Sequence, residues 1–234
     1  MKNNKKISLV LNIIIFFSSL IGTLSSLSGA DKMMTEWRAL LYYTVQSNIL
    51  SMLVSLFMVL LITLTIYGKI KDIPDFVYII KFCTTSGIAL TFLVFWIFLA
   101  RLLPVSYYYS VTNITLHTLS PILCIIDTIW FDKKILKNKI QFTYIEPLLY
   151  LLFALSMSFL GVTFTSNNDI VPYFFLNYKE LGWFKITAKG PGVVYWVMIM
   201  LVIVHIISLS IVLMNNMITY NREKKLKNTI DYMI

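Results

Sequence analysis

Charge is scarce in this chain: Asp, Glu, Lys and Arg make up 13% of 234 residues, and only 11 residues are acidic. Soluble domains carry about 25% charged residues, so this composition excludes an ordinary water-soluble domain. Only two cysteines are present, Cys83 and Cys124, both inside apolar segments, which excludes a disulfide-stapled scaffold. There is no Gly-rich phosphate loop, no Cys/His metal spacing and no G-x-S-x-G elbow, and the familiar soluble nucleotide-binding, zinc and serine-hydrolase chemistries go with them. No cofactor and no metal are expected. An Arg-rich voltage sensor, a pore-filter sequence and a pair of Gly/Pro-broken helices in matching halves are missing too.

What is abundant is hydrocarbon, with 58% hydrophobic residues and a mean hydropathy of +0.78. Apolar segments run over 7–29, 39–67, 79–100, 111–131, 144–165 and 193–216. Each has at least the ~20 residues that cross a ~30 Å hydrocarbon layer. The expected fold class is all-α: a polytopic bundle of six transmembrane helices forming one domain, 1–234, with both termini cytoplasmic. The orientation follows from basic residues, since alternate connections place 14 of the 20 Lys and Arg on one side and 6 on the other. Topology and anionic lipid headgroups account for the net charge of +9, so no nucleic-acid partner is expected. Lys5-Lys6 before an apolar stretch ending in Ser28-Gly29-Ala30 imitates a signal peptide; its length favours an uncleaved helix in the cell membrane.

Polar residues inside such spans are costly and mark sites or helix contacts. At helical spacing Thr44, Ser47, Asn48, Ser51 and Ser55 share one face of the second span, opposite Leu, Val, Phe and Met. On the fourth span Asn113, His117, Ser120, Cys124 and Asp127 share another. Thr44 and His117 each come about six residues, roughly 9 Å, below the same membrane surface. A hydroxyl needs an adjacent base to act as a nucleophile, and imidazole is suited to take its proton. Taken singly, Thr44 reads as a helix-bonding residue. Matching depth is what raises the pair.

These residues carry a resemblance. Thr44, His117-Thr118-Leu119-Ser120-Pro121, Asp127 and Gly190-Pro191-Gly192, with Val94-Phe95-Trp96-Ile97 and Val171-Pro172-Tyr173-Phe174, resemble segments of the androgen-induced-gene family of membrane hydrolases. The resemblance implies a multi-pass threonine hydrolase acting on fatty acid esters of hydroxy fatty acids, with Thr44 as nucleophile and His117 as its base. Gln46-Ser47-Asn48 is more polar than the run in animal members, and Thr-x-x-Ser-Asn is similar to bacterial relatives.

The expected activity is hydrolysis of a lipid ester near the outer membrane interface, with membrane lipids and the ester as partners. Asn48 or Ser47 is the candidate oxyanion donor, Asn113 and Ser120 line the site, and Asn113, Glu36 or Asp169 is the candidate to orient the imidazole. The alternatives are a non-enzymatic carrier or channel for a lipid or small polar solute, and a structural membrane protein.

Asp127, Glu146 and Lys81 are expected to pair or meet headgroups near the cytoplasmic surface, and His205, with Ser208 and Asn215 on its face, to bond another helix. The aromatic clusters Tyr107-Tyr108-Tyr109, Tyr173-Phe174-Phe175, Trp183-Phe184 and Tyr195-Trp196 read as interface anchors. Connection 166–192 is long enough to close over the outer mouth as a lid. The tail 221–234 is expected to lie along the headgroups as a separate short helix.

Overall fold

The computed structural model describes residues 2–29, 36–165 and 167–231. Ala30 of the cleavage-like segment, Lys32, the side chain of Glu36 and tail residues 232–234 lie outside the described residues. Six helices are long and apolar enough to cross a membrane, which makes the chain an all-α multi-pass membrane protein. They are α1 (Lys2–Leu27), α2 (Tyr43–Ile66), α3 (Asp75–Val94), α4 (Val111–Phe131), α5 (Ile145–Phe159) and α6 (Val193–Asp231). α3 continues through a π turn, Phe95–Leu99, and a 3-10 turn, Ala100–Leu102; α4 contains a π turn, Thr115–Leu119; a 3-10 stretch, Lys137–Tyr144, leads into α5. The bundle has a terminal end, where α1 begins and α6 finishes, and a loop end, where 160–192 connects α5 to α6.

Local chemistry sets the helix ends. Pro74 precedes α3 with Asp75 in its first turn, and the Ser110 hydroxyl caps α4 by accepting from Asn113 N at 3.1 Å. α2 and α5 stop at glycines in the left-handed region, Gly68 at φ 70° and Gly161 at φ 79°. There Lys69 N reaches back to Leu64 O at 2.9 Å and Val162 N to Met157 O at 3.0 Å, satisfying carbonyls the helix leaves open.

Two kinds of packing build the bundle. α1 to α4 meet through small and polar side chains, as expected where lipid tails remove the hydrophobic gain of helix association. Along α1 and α4 the contacts form an antiparallel ladder: Ser25 with Thr112 at 2.8 Å, Ser120 with Ser18 at 2.8 Å, and Asn12 Nδ2 to Asp127 Oδ2 at 2.6 Å. Gly22 sits within that ladder, and a Cβ there would lie 2.5 Å from Thr115 Oγ1 and 2.6 Å from Leu116 Cδ2. Gly22→Ala is therefore expected to destabilise the protein by about 1–3 kcal/mol, read as a lowered unfolding temperature in detergent. On the other side α3, α5, α6 and connection 160–192 share an apolar core that includes Phe82, Ala154, Phe164, Val171, Phe175 and Val204.

The structure revises several boundaries. The second span begins at Tyr43, with Glu36–Leu41 as a 3-10 turn, and the fifth apolar span runs 137–159 in place of 144–165. The tail is no separate helix, because nothing breaks the α-helical run after 216 and α6 continues through Asp231. His205 bonds another element as expected, its Nδ1 meeting the Tyr144 hydroxyl at 2.6 Å, while Ser208 donates to Thr143 Oγ1 at 2.9 Å and Asn215 Nδ2 to Thr128 O at 3.1 Å. Cys83 and Cys124 are free thiols.

Candidate functional site

The polar stripe of α2 is buried along its whole length: Thr44, Ser47, Asn48, Ser51 and Ser55 are each at most 5% exposed. Ser47 and Asn48 bind helices together. Ser47 Oγ donates to Thr44 O at 3.1 Å and meets Thr91 Oγ1 of α3 at 2.9 Å. Asn48 Nδ2 donates to Thr44 O at 2.8 Å and to Leu116 O of α4 at 3.1 Å, while its Oδ1 accepts from Ser19 of α1 at 3.4 Å. Both candidate oxyanion donors are thus committed to protein acceptors, a fact that spacing along a helix does not reveal.

Thr44 is placed differently. With Tyr43, Thr91, Tyr150, Tyr173 and Leu176 it lines a slot of about 80 Å³ between α2, α3, α5 and α6. That volume suits a few water molecules or one small polar group. Connection 160–192 closes over the slot as a lid: Val171, Phe175 and Leu176 are buried, and Tyr42 donates to Phe164 O at 3.3 Å. The β1 (Ile186–Thr187) and β2 (Gly190–Pro191) hairpin pairs antiparallel in this connection, with Ile186 opposite Pro191. Gly192 follows it at a close approach where a Cβ would meet Trp183 O at 2.6 Å.

The sequence reading noted Tyr173 only as an interface aromatic in a motif. Its hydroxyl lies in polar contact with Thr44 and Tyr150, and its ring packs against Tyr42 at 6.0 Å and stacks on Phe175 at 5.2 Å. Burial raises its phenol above the usual value, opposed by its bonds to Thr44, Tyr43 and Tyr150, so near neutral pH it is an uncharged donor. Tyr109 and Phe184 are 78% and 72% exposed, whereas Tyr107 and Phe175, expected as interface anchors, are buried.

His117 is buried at the π turn of α4, where Pro121 has no N–H to offer the His117 carbonyl four residues earlier. Its ring stacks on Phe95, centroids 3.8 Å apart and planes 24° apart, and Phe95 opens the π turn that ends α3. Its Nδ1 has no hydrogen-bond partner among the described residues. Among the described residues α2 is tied to the elements around His117 one turn beyond Thr44, since Ser47 reaches Thr91, one turn before Phe95, and Asn48 reaches Leu116 beside His117. Among the described residues no hydrogen bond joins Thr44 to His117, and His117 does not line the slot.

The other site expectations fall as follows. Asn113 donates to Tyr108 O at 3.0 Å and leaves Oδ1 unpartnered, and Ser120 is spent on Ser18. Asp169 accepts from Thr165 Oγ1 at 2.6 Å within the exposed connection, so it is no orienting group for the imidazole. Among the described residues no three His, Cys, Asp or Glu side chains form a group that could hold a metal ion.

A second polar cluster lies toward the terminal end. Lys81 of α3 reaches Asp127 Oδ2 at 2.6 Å and Asp132 Oδ1 at 2.5 Å, and Asn12 of α1 donates to the same Asp127 oxygen. The expected pairing of Lys81 with Asp127 is present; Glu146 is not part of it. Instead Glu146 lies against Gly87, near the middle of the 75–102 span, because the helical run of the fifth span starts at 137 and carries residue 146 deeper.

Asp132 follows the end of α4, and burial pushes its carboxyl up to about 7, with Lys81 opposing and Asp127 adding. A folded-state value above the unfolded one favours folding at low pH, and that contribution is lost as pH rises through about 7. Between pH of about 5 and 8 the unfolding temperature in detergent is expected to fall for the native chain and to fall less for Asp132→Asn.

No protein family, curated protein or solved structure is found to match this chain.

Proposed function

We propose that this chain is an integral membrane hydrolase of lipid esters in the cell membrane, with cytoplasmic termini and its reaction centre beneath the loop 160–192. The observation that supports it most is Thr44, whose side chain opens on a lidded slot beside a neutral Tyr173 hydroxyl while its helix neighbours are tied up in helix contacts. In this reading the Thr44 hydroxyl attacks the ester carbonyl and His117 takes its proton through the unpartnered Nδ1, its ring turning away from Phe95 to do so. Tyr173 donates to the developing oxyanion in place of Ser47 and Asn48. The alcohol departs with the proton from His117, and water activated by the same imidazole then releases the acid from Thr44. The substrate class, a fatty acid ester of the hydroxy fatty acid type, rests on the family resemblance.

The test is turnover of a long-chain acyl ester by purified protein in liposomes, comparing the native chain with Thr44→Ala, Thr44→Ser and His117→Ala. Activity that survives Thr44→Ala ends the reading.

A carrier reading draws on the polar core of α1 to α4, which extends from Thr112 to Asp132 along α4. Against it, the slot at Thr44 and the larger cleft beside it are lined by α5, on the apolar side of the bundle.

A further inference from the structure

Next to the slot, on the far side of Tyr43 and Tyr150, a cleft of about 550 Å³ opens between α2, α3 and α5. Its volume is in the usual range for ligand sites, about 300–1,000 Å³. Leu50, Ile80, Ile145 and Leu149 line its mouth and are 40–61% exposed, so in a membrane the cleft opens sideways into lipid. Its floor is polar. Glu146 and Tyr43 line it together, and among the described residues both Glu146 Oε1 and the Tyr43 hydroxyl are buried without a well-formed hydrogen bond. The two side chains adjoin closely enough to interact, but their contact falls short of a well-formed hydrogen bond at Oε1 or at the phenol oxygen. Tyr43 is 7% exposed. Gly87 makes the seat for the carboxyl, since a Cβ there would collide with both Glu146 carboxyl oxygens.

Unsatisfied polar atoms at the foot of a lipid-facing cleft, the carboxyl near mid-span and the phenol from the first residue of α2, call for a ligand that completes them. Glu146 Oε1 accepts and Tyr43 has a proton to give, so the complementary group is one that donates to the first and accepts from the second. A single hydroxyl does both. A phosphate or the carboxylate of a fatty acid is excluded by the cost of burying its charge, and an ammonium headgroup offers no acceptor for the Tyr43 proton. The apolar walls take an alkyl chain. We propose that this cleft is a binding site for a long-chain alcohol, or a lipid bearing one free hydroxyl on an otherwise apolar chain, held by Glu146 and Tyr43. The site shares the Tyr43 and Tyr150 wall with the slot but does not depend on chemistry at Thr44.

The test uses full-length protein in phosphatidylcholine liposomes with a diazirine-bearing, alkyne-tagged octadecanol. Saturable cross-linking to residues lining the cleft is expected, competed by octadecanol and not by methyl octadecyl ether, which cannot donate. Tyr43→Phe and Glu146→Leu are each expected to weaken it at least about fivefold, with Glu146→Gln, which keeps an acceptor oxygen, losing less. Thr44→Ala is expected to cross-link like the native chain, so failure of the hydrolase reading leaves this result standing. Cross-linking that does not saturate, that the ether competes equally, or that octadecanoate competes better at neutral pH would overturn the assignment. If the variants do not fold, the native chain still decides: carbodiimide modification of Glu146 is expected to slow with octadecanol present, and an unchanged rate contradicts the site.

Discussion

Thr44→Ala is expected to lower turnover of a long-chain acyl ester by more than about 10³-fold while leaving the protein folded. The fold survives because the bonds to Ser47 and Asn48 come from the Thr44 backbone carbonyl, which alanine retains, and only the contact of the Thr44 hydroxyl with Tyr173 is lost. What alanine removes is the one side-chain oxygen of the α2 stripe that faces the slot. Thr44→Ser keeps that oxygen and is expected to keep most of the activity. His117→Ala is expected to cost about 10²–10⁴-fold, the usual worth of a positioned general base, and Tyr173→Phe about 10²–10³-fold as the loss of one oxyanion donor. The rates are read as product release from liposomes, with size-exclusion profiles confirming that each variant is folded. A Tyr173→Phe variant as active as the native chain would remove that residue from the mechanism without touching Thr44.

Lys81→Met carries the largest expected cost to stability, about 3–5 kcal/mol. Lys81 is 4% exposed, Asp127 0% and Asp132 3%, and one ammonium serves both carboxyls. Without it two buried acids adjoin each other, with the Asn12 amide on Asp127 and Arg222 near Asp132. Domains are stable by about 5–15 kcal/mol in total, so the variant is expected to accumulate poorly and to unfold at much lower temperature in detergent. Adding Asp127→Asn and Asp132→Asn to Lys81→Met removes the stranded charge and is expected to recover part of the loss. A single variant as stable as the native chain would show that the cluster does not hold α1, α3 and α4 together.

How much of this was legible in the sequence depends on which property each element reports. Hydropathy and helical periodicity act over many residues, so the six spans, the buried face Thr44–Ser55 and the α4 face from Asn113 to Asp127 could be read directly. Periodicity places a side chain on a face without naming its partner, which is why Ser47 and Asn48 looked free and proved bonded to Thr91 and Leu116. Depth was misjudged where backbone geometry departs from the α-helix: the 3-10 stretch 137–144 extends the fifth span and brings Glu146 to the level of Gly87, away from Lys81. The π turns at 95–99 and 115–119, which bring Phe95 onto His117, have no periodic signature, and only Pro121 hinted at one of them. Tyr173 lies in a connection whose fold is set by tertiary contacts, so its place beside Thr44 had no local signal. The tail was read as a short helix along the headgroups from its mixture of Lys and Glu with Leu, Ile and Tyr, but a change of composition does not end a helix where no Pro or Gly follows.

The reactivity of the Thr44 hydroxyl is tested most directly by treating the purified protein with a long-chain fluorophosphonate and mapping the modified residue by mass spectrometry. A single adduct on Thr44, lost in Thr44→Ala and strongly slowed in His117→Ala, is the expected result. No adduct on the native chain, or an adduct elsewhere that persists in Thr44→Ala, would contradict it.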